Sequence, residues 1–116
     1  MRLLALGTGL TRSDAAIFDG DVDMRVHVGE DDAELFRVAE VSFHDGGRTT
    51  WHVHEADQLL VVTAGSGIAA TESEEIALSP GTVVLVPAGE RHWHGAAPGA
   101  SLTHLSVLTP GAMHLG

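Results

Sequence analysis

No stretch of this chain keeps a helical period. Apolar and polar residues instead alternate in short runs, cut roughly every eight to twelve residues by glycine or proline. Side chains alternate faces along a strand, so this pattern marks strands with one face buried. The strictest run is 21–28, where Val22, Met24, Val26 and Val28 alternate with Asp21, Asp23, Arg25 and His27. An acidic turn, G-E-D-D-A-E at 29–34, lacks the alternating acceptors of a calcium loop and reads as solvated. Residues 35–44 then set Ala39, Val41 and Phe43 against Glu40, Ser42 and His44, and D-G-G at 45–47 reads as a turn. Residues 58–63, 68–71, 83–86 and 101–108 are further short strands, and Ile76 and Leu78 lead into the S-P-G turn at 79–81. Such a series argues an all-β jelly-roll barrel. In 116 residues there is room for one, over 21–110, with an arm at 1–20 (one short strand around 16–18) and a tail at 111–116 without a readable pattern.

Within that frame the histidines stand out. His52 and His54 are two apart, so on a strand they project the same way from backbones about 6–7 Å apart. Two imidazoles so placed reach one ion as neighbouring ligands. His92 and His94 repeat the format in the segment 91–95, and the two segments read as halves of one metal site.

Composition sharpens this by what it lacks. There is no cysteine, which excludes thiolate zinc sites, iron–sulfur clusters and cysteine nucleophiles. There is no tyrosine to act as a phenolic acid or base, and no lysine for Schiff-base chemistry. Eight histidines are then the main chemical resource. A net charge of −10 argues against nucleic acid and anionic membrane as partners. No run resembles a signal peptide or approaches membrane-spanning length, so a cytoplasmic protein is expected.

Two longer motifs connect these residues to a family. G-x5-H-x-H-x3-[E/Q]-x6-G runs from Gly46 through His52, His54 and Gln58 to Gly65, and G-x5-P-x-G-x2-H runs from Gly81 through Pro87 and Gly89 to His92. Their order and separation resemble the paired signature motifs of the cupin superfamily, over roughly 41–108. The wording R-T-T-W-H-V-H, P-A-G-E-R-H-W-H-G and L-T-H-L is similar to small single-domain cupins, including cupin-type hydroxynitrile lyases and cupins related to carboxymuconolactone decarboxylases. The resemblance implies His52, His54, Gln58 and His92 as metal ligands. It implies His94 and His104 as acid/base candidates in a pocket lined by Ala39, Val41 and Leu108. It puts Mn2+ or Fe2+ first among divalent ions, with Ni2+, Co2+ and Zn2+ also suited to histidine–oxygen ligation.

This chain departs from the family pattern at two places: Gln58 stands at the usual glutamate, and Ala96 at the asparagine that ends the second motif. Three imidazoles and an amide leave an ion's +2 charge uncompensated by protein, which favours Lewis acidity and anion binding over tight metal retention. Gln58 would have to ligate through its oxygen, with its NH2 donating to a neighbour.

Each residue also has a blander reading. His94 fits a ligand-orienting role as well as a catalytic base, and His104 could be a hydrogen-bonded core histidine. Trp51 and Trp93 fall opposite the histidines and read as packing or dimer contacts. His27, His44 and His114 read as solvated. The function expected is a metal-dependent lyase or related carbon-acid catalyst on a small-molecule substrate, hydroxynitrile lyase-like. The alternatives are an Fe/Mn dioxygenase and a non-catalytic small-molecule or metal-binding module. The resemblance also implies a homodimer, formed by exchanging or pairing N-terminal strands, for which the strand at 22–28 is the candidate.

Overall fold

The computed structural model describes residues 1–4 and 9–116, so residues 5–8 of the expected arm lie outside the described residues. Among the described residues every regular element is a strand, and no helix is long and apolar enough to cross a membrane. The strands are β1 Thr11–Arg12, β2 Phe18–Val28, β3 Arg37–Thr49, β4 His52–His54, β5 Gln58–Gly65 and β6 Gly67–Ala70. They continue as β7 Glu75–Leu78, β8 Val83–Val86, β9 Trp93–Ala96, β10 Leu102–Leu108 and β11 Met113–Leu115. One curled antiparallel sheet runs β7-β6-β9-β3-β10-β5-β8, with β2 on β3 and β1 on β2, while β4 and β11 form a separate pair. This is the all-β jelly-roll barrel expected from the alternation.

β3 is the strand that makes the barrel. Its first half lies between β2 and β10, with Met24 and His104 opposite Val41, and its far end pairs Arg48 with Gly95 of β9. The D-G-G at 45–47 therefore does not turn the chain back. Asp45 and Gly46 are left-handed (φ 51° and 73°), and the register with β2 slips between Asp19 and Asp21. This is a bulge that bends a continuing strand from one wall to the other. The residue types suit left-handed backbone, but two such residues inside a paired strand re-aim it without reversing it. Close approach also constrains the bend: a Cβ on Gly47 would lie 2.9 Å from the Asp21 carbonyl oxygen.

The apolar core fills one end. Phe43 and Leu102 are fully buried with Val22, Val41, Val62 and Leu78, and Phe18, Met24 and Val84 pack against them. Burial of a side chain such as Phe43 contributes about 1.5–3 kcal/mol. Phe43 also marks the border with the histidine end: its ring centroid lies 5.4 Å from that of His104 and 5.9 Å, edge-on, from that of His94.

Both ends of the chain join the barrel more closely than the sequence suggests. The arm runs into β2 at Phe18, which pairs with Thr49, and the tail forms β11, with Met113, His114 and Leu115 opposite His54, Val53 and His52. Trp93 is buried beneath Arg48, whose guanidinium carbon lies 4.0 Å from the ring centroid, and Arg91 covers Trp51 at 4.2 Å. His27 differs from its expected solvated state: its Nε2 lies 2.9 Å from Glu40 Oε1, which also accepts from Arg25. His44 and His114 face Asp23 and Glu55 in more exposed pairs of the kind that contribute little stability.

Gly95 gives the fold a direct test. A Cβ there would overlap the Cβ of Arg48 and lie 2.5 Å from its Cα, at the point where β9 meets β3. Gly95→Ala is expected to destabilise the fold by about 3 kcal/mol or more, measured by chemical denaturation.

Candidate metal centre

Three separate segments bring the site together. β4 supplies His52 and His54, the start of β5 supplies Gln58, and His92 lies just before β9. Paired main-chain hydrogen bonds dock His92 against His52: each amide donates to the other's carbonyl, at 2.9 and 3.0 Å. One ring nitrogen from each of His52, His54 and His92 lies within 4.8 Å of the others, so the three could hold one metal ion. His52, Gln58 and His92 are buried and His54 partly so.

The hydrogen bonds determine which atoms face the centre. His52 Nδ1 donates to the Thr50 carbonyl at 2.8 Å, and His92 Nδ1 donates to the Glu90 carbonyl at 2.9 Å. In a neutral ring this leaves Nε2 as a bare lone pair. The Nε2 atoms of His52 and His54 are buried without a partner. Gln58 Nε2 donates to Ser106 Oγ at 2.9 Å, which turns its Oε1 toward His92 Nε2 at 3.1 Å. Two acceptors face each other there with no proton between them. That contact repels unless a cation sits beside both atoms. Ligand atoms about 2.1 Å from an ion and at right angles lie about 3.0 Å apart, so the spacing suits adjacent ligands. Three imidazole nitrogens and one carboxamide oxygen are thus a chemically coherent donor set for a divalent transition metal.

His94 and His104 lie beside this cluster, as the resemblance implies. His94 Nδ1 and His104 Nε2 are 3.0 Å apart, while His94 Nε2 and His104 Nδ1 are buried without partners. The His94 ring stacks on His92 at 5.6 Å between centroids. Thr49 Oγ1 accepts from the His94 main-chain N–H at 3.1 Å. One proton links the two rings, so the neutral pair carries one lone pair and one N–H at its two buried outer nitrogens.

His52, His54, Gln58, His94, His104 and Ser106 form the polar end of a cavity of about 250 Å³, and His92 lies outside its lining. Its apolar wall contains Ala39, Val41 and Leu108, the three residues implied by the resemblance. It also contains Met24 and, from the arm, Ala15, Ile17 and Phe18. Sequence reasoning left the arm out of the pocket, and the apolar run at 16–18 was its only signal. Ser106 shares a strand face with His104, two residues before it, but no local pattern reveals its bond to Gln58, 48 residues away.

Burial keeps these rings neutral. It lowers the pKa of His52, His54 and His104 from 6.5 to about 4, with neighbouring histidines adding to the effect at His52 and His54. His92 is lowered by the same cause, and His94 is held well below its ordinary value by burial and then by repulsion from His104. The unfolded chain therefore binds more protons than the folded one below pH 6.5, and stability falls as pH drops from there toward about 4. The ceiling is about 1.4 kcal/mol per group per pH unit, less at His54 where water reaches the ring, against a typical stability of about 5–15 kcal/mol. Metal-free protein should be less stable at pH 5 than at pH 7, which chemical denaturation followed by circular dichroism at each pH would show. Equal stability at the two pH values would contradict this.

Comparison with known proteins agrees with the architecture. Residues 39–108 match the Cupin domain family, and the chain belongs to the cupin family. Within it, the chain is 47% identical over 77 residues to the (R)-mandelonitrile lyase of Granulicella tundricola. That match covers 66% of this chain and spans 59% of the relative's length. Among solved structures, a cupin-like protein from Thermotoga maritima superposes with a TM-score of 0.88 at 31% identity, over 97% of this chain and 88% of the other. The polyketide cyclase RemF from Streptomyces resistomycificus shares the fold with a TM-score of 0.84 at 20% identity, over 99% and 85% of the two chains.

Proposed function

We propose that this protein is a divalent-metal-dependent lyase that cleaves a small hydroxynitrile of the mandelonitrile type into an aldehyde and hydrogen cyanide. The supporting observation is a neutral four-atom ligand cluster, three of whose side chains line one apolar cavity together with a separate histidine pair whose outer nitrogens lack hydrogen-bond partners. An engineered cavity of about 150 Å³ already takes benzene, so about 250 Å³ suits an aryl group with a small polar head. The similarity to an (R)-mandelonitrile lyase supports the same class.

His52, His54, Gln58 and His92 would hold the ion, Mn2+ or Fe2+ first. When bound, it supplies Lewis acidity and a positive charge undiminished by its protein ligands, suited to an oxyanion or cyanide. The bare outer nitrogen of the His94–His104 pair takes the substrate's hydroxyl proton. As the carbonyl forms, the carbon–carbon bond to the nitrile breaks and its electron pair leaves with cyanide. The pair then returns the proton to give hydrogen cyanide, and burial keeps it neutral between turnovers. Val41, Leu108 and the arm residues Ile17 and Phe18 hold the apolar group and exclude water.

The test is benzaldehyde release from (R)-mandelonitrile by protein loaded with Mn2+ or Fe2+, with and without oxygen. Equal rates in air and under nitrogen are expected. Turnover that requires oxygen would point to a dioxygenase, and loaded protein that returns the nitrile unchanged would point to a binding module.

A homodimer is also proposed, and beside the strand at 22–28, which pairs with β3 and with the two-residue β1 of its own chain, the molecule offers a second surface for it. The outer face of β8, β5 and β10 carries cross-strand rows Leu85–Leu59–Val107 and Val83–Val61–Leu105. Val83 and Leu85 are 58% and 65% exposed. This uncharged face is where two copies of a chain with net charge −10 repel least. Light scattering should find twice the 12.1 kDa chain mass, reverting to one chain in Leu85→Glu.

A further inference from the structure

Glutamate and glutamine differ in symmetry as well as charge. A carboxylate presents an oxygen whichever way it is turned, whereas an amide does so only one way. Turned the other way, Gln58 would aim its NH2 at the ion position, and an N–H cannot ligate. Without an ion that turn is favourable, because the NH2 would donate to the bare Nε2 of His92, 3.1 Å from the amide's inner atom. A glutamine ligand therefore needs a partner that makes the oxygen-inward orientation cost nothing.

Ser106 is placed to be that partner. It projects from β10, is 8% exposed, and its Oγ accepts from Gln58 Nε2 at 2.9 Å. A hydroxyl both donates and accepts, so Ser106 can bond whichever end of the amide faces it. With an alanine there, turning Oε1 inward would bury the NH2 without an acceptor.

We infer that Ser106 is a positioning residue of the metal site: by accepting the Gln58 carboxamide N–H, its hydroxyl lets Oε1 face the ion without leaving the buried NH2 unpaired. This rests on the reading of His52, His54, Gln58 and His92 as ligands. It also separates Ser106 from a residue that merely packs, because a symmetric carboxylate at position 58 would not need orienting.

The test is a cycle of four proteins: wild type, Ser106→Ala, Gln58→Glu and the double variant. Mn2+ affinity is measured by calorimetry, with metal-free melting temperature as the folding control. Ser106→Ala is expected to weaken Mn2+ binding about ten- to a hundredfold in the glutamine background and less than about threefold in the glutamate background. Equal losses in both backgrounds, or no loss in either, would overturn the inference. Should Ser106→Ala fail to fold, Ser106→Thr keeps the hydroxyl and should retain affinity within about threefold; a larger loss would overturn the inference. Wild-type protein that binds no more Mn2+ or Zn2+ than His52→Ala would instead overturn the metal reading itself.

Discussion

His92→Ala is expected to abolish stoichiometric metal binding and lower the proposed hydroxynitrile cleavage by about a thousandfold or more, about 4 kcal/mol of barrier. The expectation follows from where His92 sits. Its Nε2 faces the carboxamide oxygen of Gln58 at 3.1 Å, and its Nδ1 is committed to the Glu90 carbonyl. Removing the ring takes out one of four proposed ligands and the atom that makes the Gln58 orientation unfavourable without an ion. The main-chain bonds between His52 and His92 remain, so the fold should survive. Elemental analysis of wild type and variant after equal exposure to Mn2+ measures the first effect, and benzaldehyde release measures the second. Wild-type metal content in the variant would remove His92 from the ligand set.

His104→Ala and His94→Ala should each cut kcat by about a hundred- to ten-thousandfold while metal content stays at the wild-type level. The two rings share one hydrogen bond of 3.0 Å, and each has its other nitrogen buried without a partner. A pair that accepts a proton at one end and donates at the other works as a unit, so the double variant should be little slower than either single one. The split between metal content and rate separates acid/base work from a ligand-orienting role. If His94→Ala loses metal in proportion to activity, His94 orients His92, on which it stacks. If both variants turn over at full rate, the proton passes elsewhere.

The sequence by itself determined the all-β class, because strand alternation and Gly/Pro punctuation are local properties. Two-residue spacing on a strand also put His52 and His54 on one face, and the family resemblance joined Gln58 and His92 to them as candidate ligands. Pocket residues Ala39, Val41 and Leu108 were legible through the family resemblance. The remaining features rest on contacts between residues far apart in the chain. The D-G-G segment bends β3 instead of reversing it because β2 and β9 hold the strand on either side of the bulge. Ile17 and Phe18 become cavity wall, and residues 113–115 become a strand on the ligand-bearing β4, through pairings no local period encodes. The amide of Gln58 bonds a serine hydroxyl 48 residues away, and an amide's orientation is set by its hydrogen-bond partners, which come only with the folded chain.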